Sequence, residues 1–304
     1  MERNAHVTDT TSGEARAFRF GIVAPVLPDV RTWREQVRRI ADHGYSTVLM
    51  PDFPRLQPAP AAALAVAATL ADVRVGTWVY AAALRAPWLT AWEAHSLTVL
   101  TQGRFEMGIG VGRPGIEDEL RERGLPVPSP GQRLHQVRQT VAAQRALDCE
   151  PVHTPVAMAV IGPKARAMAA EIADTVTFAM APNEPRADVV ARVRGFHTTR
   201  AVELSMHIPV VGNIVSPFMA PPDTDTAALR AADSLAYLPA DPPAAAEELR
   251  RRREQTGVSY FVFGANVADT FAPLVAELAR PVRLSRRAED DRTAFMSPGR
   301  LAAK

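Results

Sequence analysis

The chain has 304 residues, 47% of them apolar, and its 35 basic and 33 acidic residues give a formal net charge of +2. This size allows one large domain or two ordinary ones with a sizeable core, and the interspersed charges argue against nucleic-acid binding. No uncharged apolar run reaches the ~18 residues of a membrane span. The one cysteine, Cys149, excludes an internal disulfide and fits a reducing cytoplasm.

Residues 1–17 are polar, lack the apolar core of a signal peptide and are predicted to be a disordered leader. Beyond them, apolar and β-branched runs alternate with helix patterns. Strands are predicted at 18–25, 46–50, 73–80, within 101–112, and at 156–161, 174–180, 206–215 and 258–263. Helices are predicted at 29–43, 58–70, 87–101, 114–124, 132–147, 164–173, 186–202, 224–236, 243–256 and 267–278. Residues 281–304 are predicted to be a tail.

The predicted strands are short and almost continuously apolar, and helices separate them, which is typical of a parallel sheet with helical crossovers. Eight strands favour an α/β fold of the closed TIM (β/α)8 type, as one domain over 18–280, rather than an open doubly wound sheet. Functional groups of such a barrel lie where the strands end. The candidate positions are therefore 25, 52–53, 78–82, 111–113, 161–162, 180–183, 212–213 and 264–266. No metal site is predicted, because the seven histidines are scattered.

The strand within 101–112, TQGRFEMGIGVG, has one bulky face and one nearly bare face. Its bulky residues alternate with Glu106 and with glycines at 108, 110 and 112. Glycine weakens a strand unless something must pass close to the backbone. Either a neighbouring backbone packs tightly there, or a flat ligand lies against the strand end. Tight packing is the default interpretation when this strand is considered alone.

Several stretches are together typical of one family. They are GYSTVLMPD, VRVGTWVYAAALRAP, SLTVLTQGRFEMGIGVG, GPKARAMAAEIADTVTFA and GVSYFVFG. In their order and spacing over residues 18–278, the chain resembles the bacterial luciferase-like group of flavin- and deazaflavin-dependent oxidoreductases. An F420-dependent actinobacterial branch shares FRFG, LMPD and APAAALAVAA. The resemblance implies a TIM-like barrel, often a homodimer, that binds F420, or alternatively FMN, and acts on a small organic substrate.

The resemblance also implies where the cofactor binds. Its phosphate would lie at Val160, Ile161, Gly162 and Pro163, where a helix N-terminus offers unpaired N–H groups. The alternative is an ordinary strand-to-helix turn. Relatives have a non-proline cis peptide at Trp78–Val79 that supports the ring, whereas Trp78 could instead be a core residue with a trans bond. Val111 and Gly112, at the end of the glycine-rich strand, complete the implied cofactor contacts.

Asp52 and Arg113 are the candidate catalytic residues, and both are also candidate cofactor ligands. Asp52 ends the second strand and could hydrogen-bond the cofactor, or cap the loop before Pro54. Arg113 could bind an anion or polarise a carbonyl, or form a salt bridge with Glu117 or Asp118 on the next helix. It cannot act as a general acid near neutral pH.

Candidate substrate-pocket residues are Phe53, Tyr80, Met180 and Asn213. Relatives usually carry a histidine where this chain has Phe53, and some carry an acid where it has Arg113. These departures leave three hypotheses open. They are a hydride-transferring or oxygen-activating enzyme, a non-catalytic barrel that has lost its cofactor, and a barrel of sugar or phosphate metabolism.

Overall fold

The computed structural model describes residues 16–279. The predicted leader, apart from residues 16 and 17, and the predicted tail lie outside this range. In chain order the strands are β1 (Arg19–Val23), β2 (Thr47–Met50), β3 (Arg74–Thr77), β4 (Tyr80–Ala81), β5 (Phe105–Gly110), β6 (Val156–Val160), β7 (Thr175–Phe178), β8 (Glu203–His207), β9 (Val210–Val211), β10 (Ile214–Val215), β11 (Tyr237–Leu238) and β12 (Tyr260–Gly264).

The helices are α1 (Val30–Asp42), α2 (Pro60–Leu70), α3 (Pro87–Leu100), α4 (Ile116–Glu122), α5 (Pro130–Leu147), α6 (Pro163–Ile172), α7 (Arg186–Arg194), α8 (Thr226–Ala231), α9 (Pro242–Thr256) and α10 (Ala272–Leu278). Start signals in the sequence explain several of them. The Asp29 side chain accepts hydrogen bonds from two N–H groups of α1, and Ser129 forms a capping box on α5. None of the helices in residues 16–279 is long and apolar enough to cross a membrane.

The sheet closes on itself, as the sequence predicts. Its order is β3-β2-β1-β12-β8-β7-β6-β5, and β3 also pairs with β5. All of these pairings are parallel. The apolar core lies between this barrel and the helices around it. The prediction of a closed (β/α)8 barrel is therefore confirmed.

The third barrel strand is interrupted and continues as β4. Gly76 pairs with Glu106 and Tyr80 pairs with Ile109, so four steps on β3–β4 (76 to 80) face three on β5 (106 to 109). The extra residue makes this a bulge. A Cβ on Gly108 would lie 1.9 Å from the Thr77 carbonyl oxygen. Tight packing of a neighbouring backbone therefore accounts for this glycine.

The seventh barrel strand differs from its prediction. The sequence predicts one strand over 206–215, but β8 ends at His207 and Pro209 follows. β9 and β10 then form a short antiparallel hairpin that turns at Gly212, where φ is +56°. Proline cannot donate to a strand ladder, which explains why the barrel strand stops there. The preceding helix is also shorter than predicted, because α7 ends at Arg194 with Gly195 as its C-cap.

Candidate active site

Half of the barrel mouth is filled by bulky side chains. Val23, Leu49, Tyr260 and Val262 point inward from β1, β2 and β12 and form one apolar cluster. Trp78 and Met219 are half-buried and pack on top of it. Met219 comes from the loop after β10. No flat molecule of the size of a flavin ring fits on this side without displacing these groups.

The other half of the mouth is lined by small residues. Along β6, Val156, Met158 and Val160 point outward and are buried, whereas Ala157 and Ala159 point inward and are partly exposed. A Cβ on Gly110 of β5 would lie 3.5 Å from the Ala159 methyl group. Small side chains on two adjacent strands thus leave an accessible space inside the barrel, which we call the mouth slot.

Three more residues border the mouth slot. Val79 packs its methyl groups toward Gly108 and Gly110. Trp78 precedes it, and the Trp78–Val79 peptide bond is cis, as the resemblance implies. The Trp78 ring meets the His207 ring edge-on, with 6.3 Å between ring centroids. The mouth slot is therefore lined by Trp78, Val79, Gly110, Ala157, Ala159 and His207.

The predicted phosphate site adjoins the mouth slot, because β6 leads directly into α6. Val160 is buried, whereas Ile161, Gly162 and Pro163 are exposed. Gly162 is the N-cap and no side chain caps this helix. A Cβ on Gly162 would meet nothing within 4 Å. The first N–H groups of α6 consequently face open space and are available to an anion.

The Asp52 side chain forms an ion pair with Arg85 beneath the mouth. The residue is only 4% exposed, and its carboxylate accepts two hydrogen bonds from Arg85, both at 2.9 Å, and one from the Ala81 N–H. The Arg85 guanidinium in turn lies 4.0 Å from the Tyr80 ring centroid. Asp52 thus fixes β4 beside the bulge, which neither sequence hypothesis for this residue anticipated.

Tyr80 is wrong as a substrate-pocket residue. Its side chain is fully buried beneath Arg85. Burial, reinforced by the nearby Glu93 carboxylate, raises the pKa of the Tyr80 phenol well above its ordinary value. The strand alternation explains the error, because the bulge turns Trp78 and Val79, rather than Tyr80, toward the mouth slot.

Arg113 forms a salt bridge with the next helix, as its alternative interpretation proposed, but the partner is Glu119 rather than Glu117 or Asp118. Its guanidinium also lies 4.2 Å from the Phe53 ring centroid. Phe53 packs against Phe218, with 4.9 Å between ring centroids. Phe218, which the sequence did not single out, comes from the loop that also carries Met219. This aromatic cluster borders a cavity of about 420 Å³.

The remaining predicted residues lie outside the mouth slot. Met180 packs on Val210, Leu229 and Ala236, against the small sheet. Asn213 is exposed in the turn between β9 and β10 and lines a separate cavity of about 960 Å³ beside α8 and α9. Val111 packs against the main core. Gly112, with φ of +104°, forms the turn that brings Ile116 close.

His207 is the residue that sequence analysis missed. It points inward at the end of β8, beside its register partner Val262. Burial lowers the pKa of the His207 imidazole from 6.5 to about 4, and neither a charge nor a hydrogen bond contributes. The signal was present in the sequence, because ending the strand before Pro209 would have placed His207 at the mouth.

The luciferase-like monooxygenase family model matches residues 5–277. The chain belongs to the luciferase-like family. No curated protein matches the sequence significantly. Among solved structures, it is similar to an F420-dependent secondary alcohol dehydrogenase in complex with an F420-acetone adduct, at 17% identity and TM-score 0.62 over 88% of this chain and 100% of the other.

Two further structures share the luciferase-like fold. One is the coenzyme F420-dependent tetrahydromethanopterin reductase from Methanopyrus kandleri, at 15% identity and TM-score 0.64 over 87% of this chain and 99% of the other. The other is a riboflavin lyase with modified FMN and substrate riboflavin, at 11% identity and TM-score 0.63 over 88% and 93%. At these identities the similarity establishes the fold, and the family makes the chain a luciferase-like oxidoreductase.

Proposed function

We propose that this luciferase-like protein binds the deazaflavin F420 and transfers a hydride to or from a small organic substrate. The mouth slot carries the proposal. Gly110, Ala157 and Ala159 leave room for a planar ring on one side of the barrel, and the uncapped N-terminus of α6 begins at the end of the same strand. A cofactor with a flat ring and a phosphate needs these two features side by side.

The chain's own residues fit such a group. Val79 and the two alanines would contact the ring, and the exposed N–H groups after Gly162 would bind the phosphate. When bound, the deazaflavin supplies the hydride chemistry. The protein's part is to position the ring, to exclude water with Trp78 and Met219, and to hold a substrate against it.

FMN is the alternative cofactor, since similar structures carry either F420 or FMN in their names. Both have a tricyclic ring and a phosphate, so the mouth slot accommodates either. With FMN, monooxygenation becomes available in addition to hydride transfer. Titration of the purified protein with F420 and with FMN, followed by quenching of cofactor fluorescence, distinguishes them. Binding of FMN alone would contradict the F420 assignment.

A matched pair of variants tests the phosphate site. Gly162→Asp places a carboxylate at the N-terminus of α6, where it stabilises the helix but repels a phosphate, so we expect cofactor affinity to fall by about tenfold or more. Gly131→Asp is the control, because Gly131 also lies beside a proline at the start of a helix and a Cβ there meets nothing within 4 Å. Equal affinities in the two variants would place the phosphate elsewhere.

A non-catalytic barrel is the second candidate, and one observation favours it. Asp52 and Arg113 are each neutralised by a partner, and Phe53 cannot carry a proton. Such a protein would keep the scaffold and bind neither cofactor. Lack of quenching with both cofactors at high micromolar concentration, in protein shown to be folded by circular dichroism, would support this candidate over the enzyme.

A second copy of this chain is the proposed protein partner. α3 exposes Trp88, Leu89, Trp92 and Leu100, each at least half exposed, and the Trp88 and Trp92 rings lie 5.5 Å apart. A patch of this kind marks an interaction surface. We expect Trp92→Glu to convert a dimer to a monomer in sedimentation velocity. The control Val30→Glu changes an exposed residue at the start of α1 and should stay dimeric. An unchanged oligomer in Trp92→Glu would rule out the exposed face of α3 as the dimer interface.

A further inference from the structure

Two charged side chains beside the mouth are engaged by partners of opposite sign. Asp52 binds Arg85, and Arg113 binds Glu119. The ion pairs of Arg19 with Glu106 and Glu203 lie at the opposite end of the barrel, where the strands begin. Among the described residues that line the slot itself, none is charged. A molecule in the slot therefore meets hydrocarbon, backbone and uncharged polar side chains.

His207 is the polar side chain at the rim of the slot, above the hydroxyl groups of Thr177 and Ser205 on β7 and β8. Each neighbour along the barrel wall is uncharged, because Val262 is its partner on β12 and the Trp78 ring faces it from the bulge. The imidazole has no hydrogen bond or charge to influence its ionisation. The imidazole is partly exposed, so its donor and acceptor nitrogens are available to a molecule that enters the slot.

We propose that His207 is the hydrogen-bonding contact for substrate in the mouth slot, and that the slot selects an uncharged carbonyl, hydroxyl or amide group over a charged one. The proposal rests on the proposed function in taking this slot as the place where substrate meets the cofactor. It assigns a substrate class that neither the fold nor the family specifies.

The selection follows from solvation. A neutral imidazole offers one N–H donor and one acceptor nitrogen, which match a carbonyl oxygen or a hydroxyl. A carboxylate or phosphate in the same place would lose its hydration, and the two guanidinium groups beside the mouth, Arg85 and Arg113, are already paired. Such an ion is excluded unless the imidazole becomes protonated, and burial opposes that.

Isobutyramide and isobutyrate test this selection, because they have nearly the same shape and differ in charge. Protein with ¹⁵N-labelled histidine, with and without bound cofactor, is titrated with each compound to tens of millimolar at pH 7. The His207 ring signals are followed by NMR and assigned with the variants below. We expect isobutyramide to shift them with an affinity at least about tenfold above that of isobutyrate.

Variants separate this contact from a merely structural role. His207→Leu should lose the preference for isobutyramide, and His207→Asn, which keeps a donor and an acceptor, should restore part of it. His197→Leu, at an exposed position, should leave it unchanged. His197→Leu should also keep cofactor affinity within about threefold of wild type, and the titrations without cofactor compare the His207 variants directly.

The possible outcomes are distinct. Equal affinity for the two compounds, or no shift with either, overturns the inference, whether or not a cofactor binds. Failure of F420 and FMN to bind overturns the proposed function instead, and the titrations without cofactor still decide the role of His207. A preference that survives in His207→Leu would assign the selection to another group.

Discussion

Substitution of Gly108 by alanine tests the bulge that shapes the mouth slot. An added Cβ would lie 1.9 Å from the Thr77 carbonyl oxygen and 3.0 Å from a Val79 methyl carbon. Carbon and oxygen in van der Waals contact stay more than about 3 Å apart, so the two strands would have to separate by roughly 1 Å. Backbone, unlike a flexible side chain, has little freedom to move in a packed barrel.

The size of the effect follows from that displacement. Overpacking a core by one methyl group costs about 1–3 kcal/mol, and the fixed carbonyl places this site at or above the upper end. Opening the β3–β5 contact would also weaken the backbone pairing of Val75 and Gly76 with β5. We therefore expect Gly108→Ala to lower the free energy of unfolding by about 3 kcal/mol or more, and to weaken cofactor binding.

Urea denaturation followed by circular dichroism measures the change. Two variants calibrate it. A Cβ on Gly110 would meet a Val79 methyl carbon at 3.2 Å, so Gly110→Ala should cost only about 1 kcal/mol. Gly131, in the first turn of α5, has open space around it, so Gly131→Ala should be neutral or stabilising. If Gly108→Ala were as stable as Gly131→Ala, the close approach of Thr77 would be wrong.

Two further predictions concern charge. Asp52→Asn leaves Arg85 without its bidentate partner in a site where the aspartate side chain is 3% exposed. We expect it to lower the free energy of unfolding, measured by urea denaturation, by about 3 kcal/mol. Asp118→Asn removes an exposed salt bridge with Arg121 and should change the free energy of unfolding by less than about 0.5 kcal/mol. Equal effects of Asp52→Asn and Asp118→Asn would contradict a structural role for the Asp52–Arg85 pair. The pKa of His207 is about 4 in the folded protein and 6.5 in the unfolded chain. The stabilisation that comes from a neutral imidazole in the folded protein is therefore complete above pH 6.5 and is lost as the pH falls toward 4. The difference between the two pKa values corresponds to about 3 kcal/mol in the free energy of unfolding between pH 6.5 and pH 4. Because His207→Asn has no group that titrates there, its free energy of unfolding should not lose this amount over that range. Parallel profiles of unfolding free energy against pH for the two proteins would refute the prediction.

The sequence predicts the barrel well because its signals are local and repeated. Continuous apolar runs separated by capped helices specify parallel strands, and Asp29 and Ser129 mark helix starts by side-chain chemistry alone. The prediction fails over 206–215 because a run such as MHIPVVGNIV is apolar at most of its positions. Its polarity does not reveal where one strand ends, and only Pro209 and Gly212 mark the break.

That single misplaced strand end explains the main error in the candidate site. It moves the mouth six residues along the chain, from His207 to Asn213, and so replaces a slot residue with an exposed turn residue. The partner of Asp52 was also beyond reach of the sequence, whereas the helix that pairs with Arg113 was predicted correctly. Arg85 lies 33 positions from Asp52, and nothing in their spacing shows that the bulge brings them together. By contrast, the exposed start of α6 follows from Gly162 and Pro163 alone.

The arrangement of charge at the mouth limits how this chain can accelerate a reaction. A proton taken up by Asp52 would break its pair with Arg85 and leave a half-buried guanidinium without its bidentate partner, and Arg113 never gives up its proton. His207 is neutral above pH 6.5 and a weak base, because burial disfavours its charged form. General acid–base catalysis by these side chains is therefore unfavourable. Their arrangement suits orientation and the exclusion of water, and the chemical step in the proposed reaction belongs to the cofactor. Phe53 carries no proton either, and its packing against Phe218 and Arg113 gives it a part in shaping the mouth rather than in proton transfer.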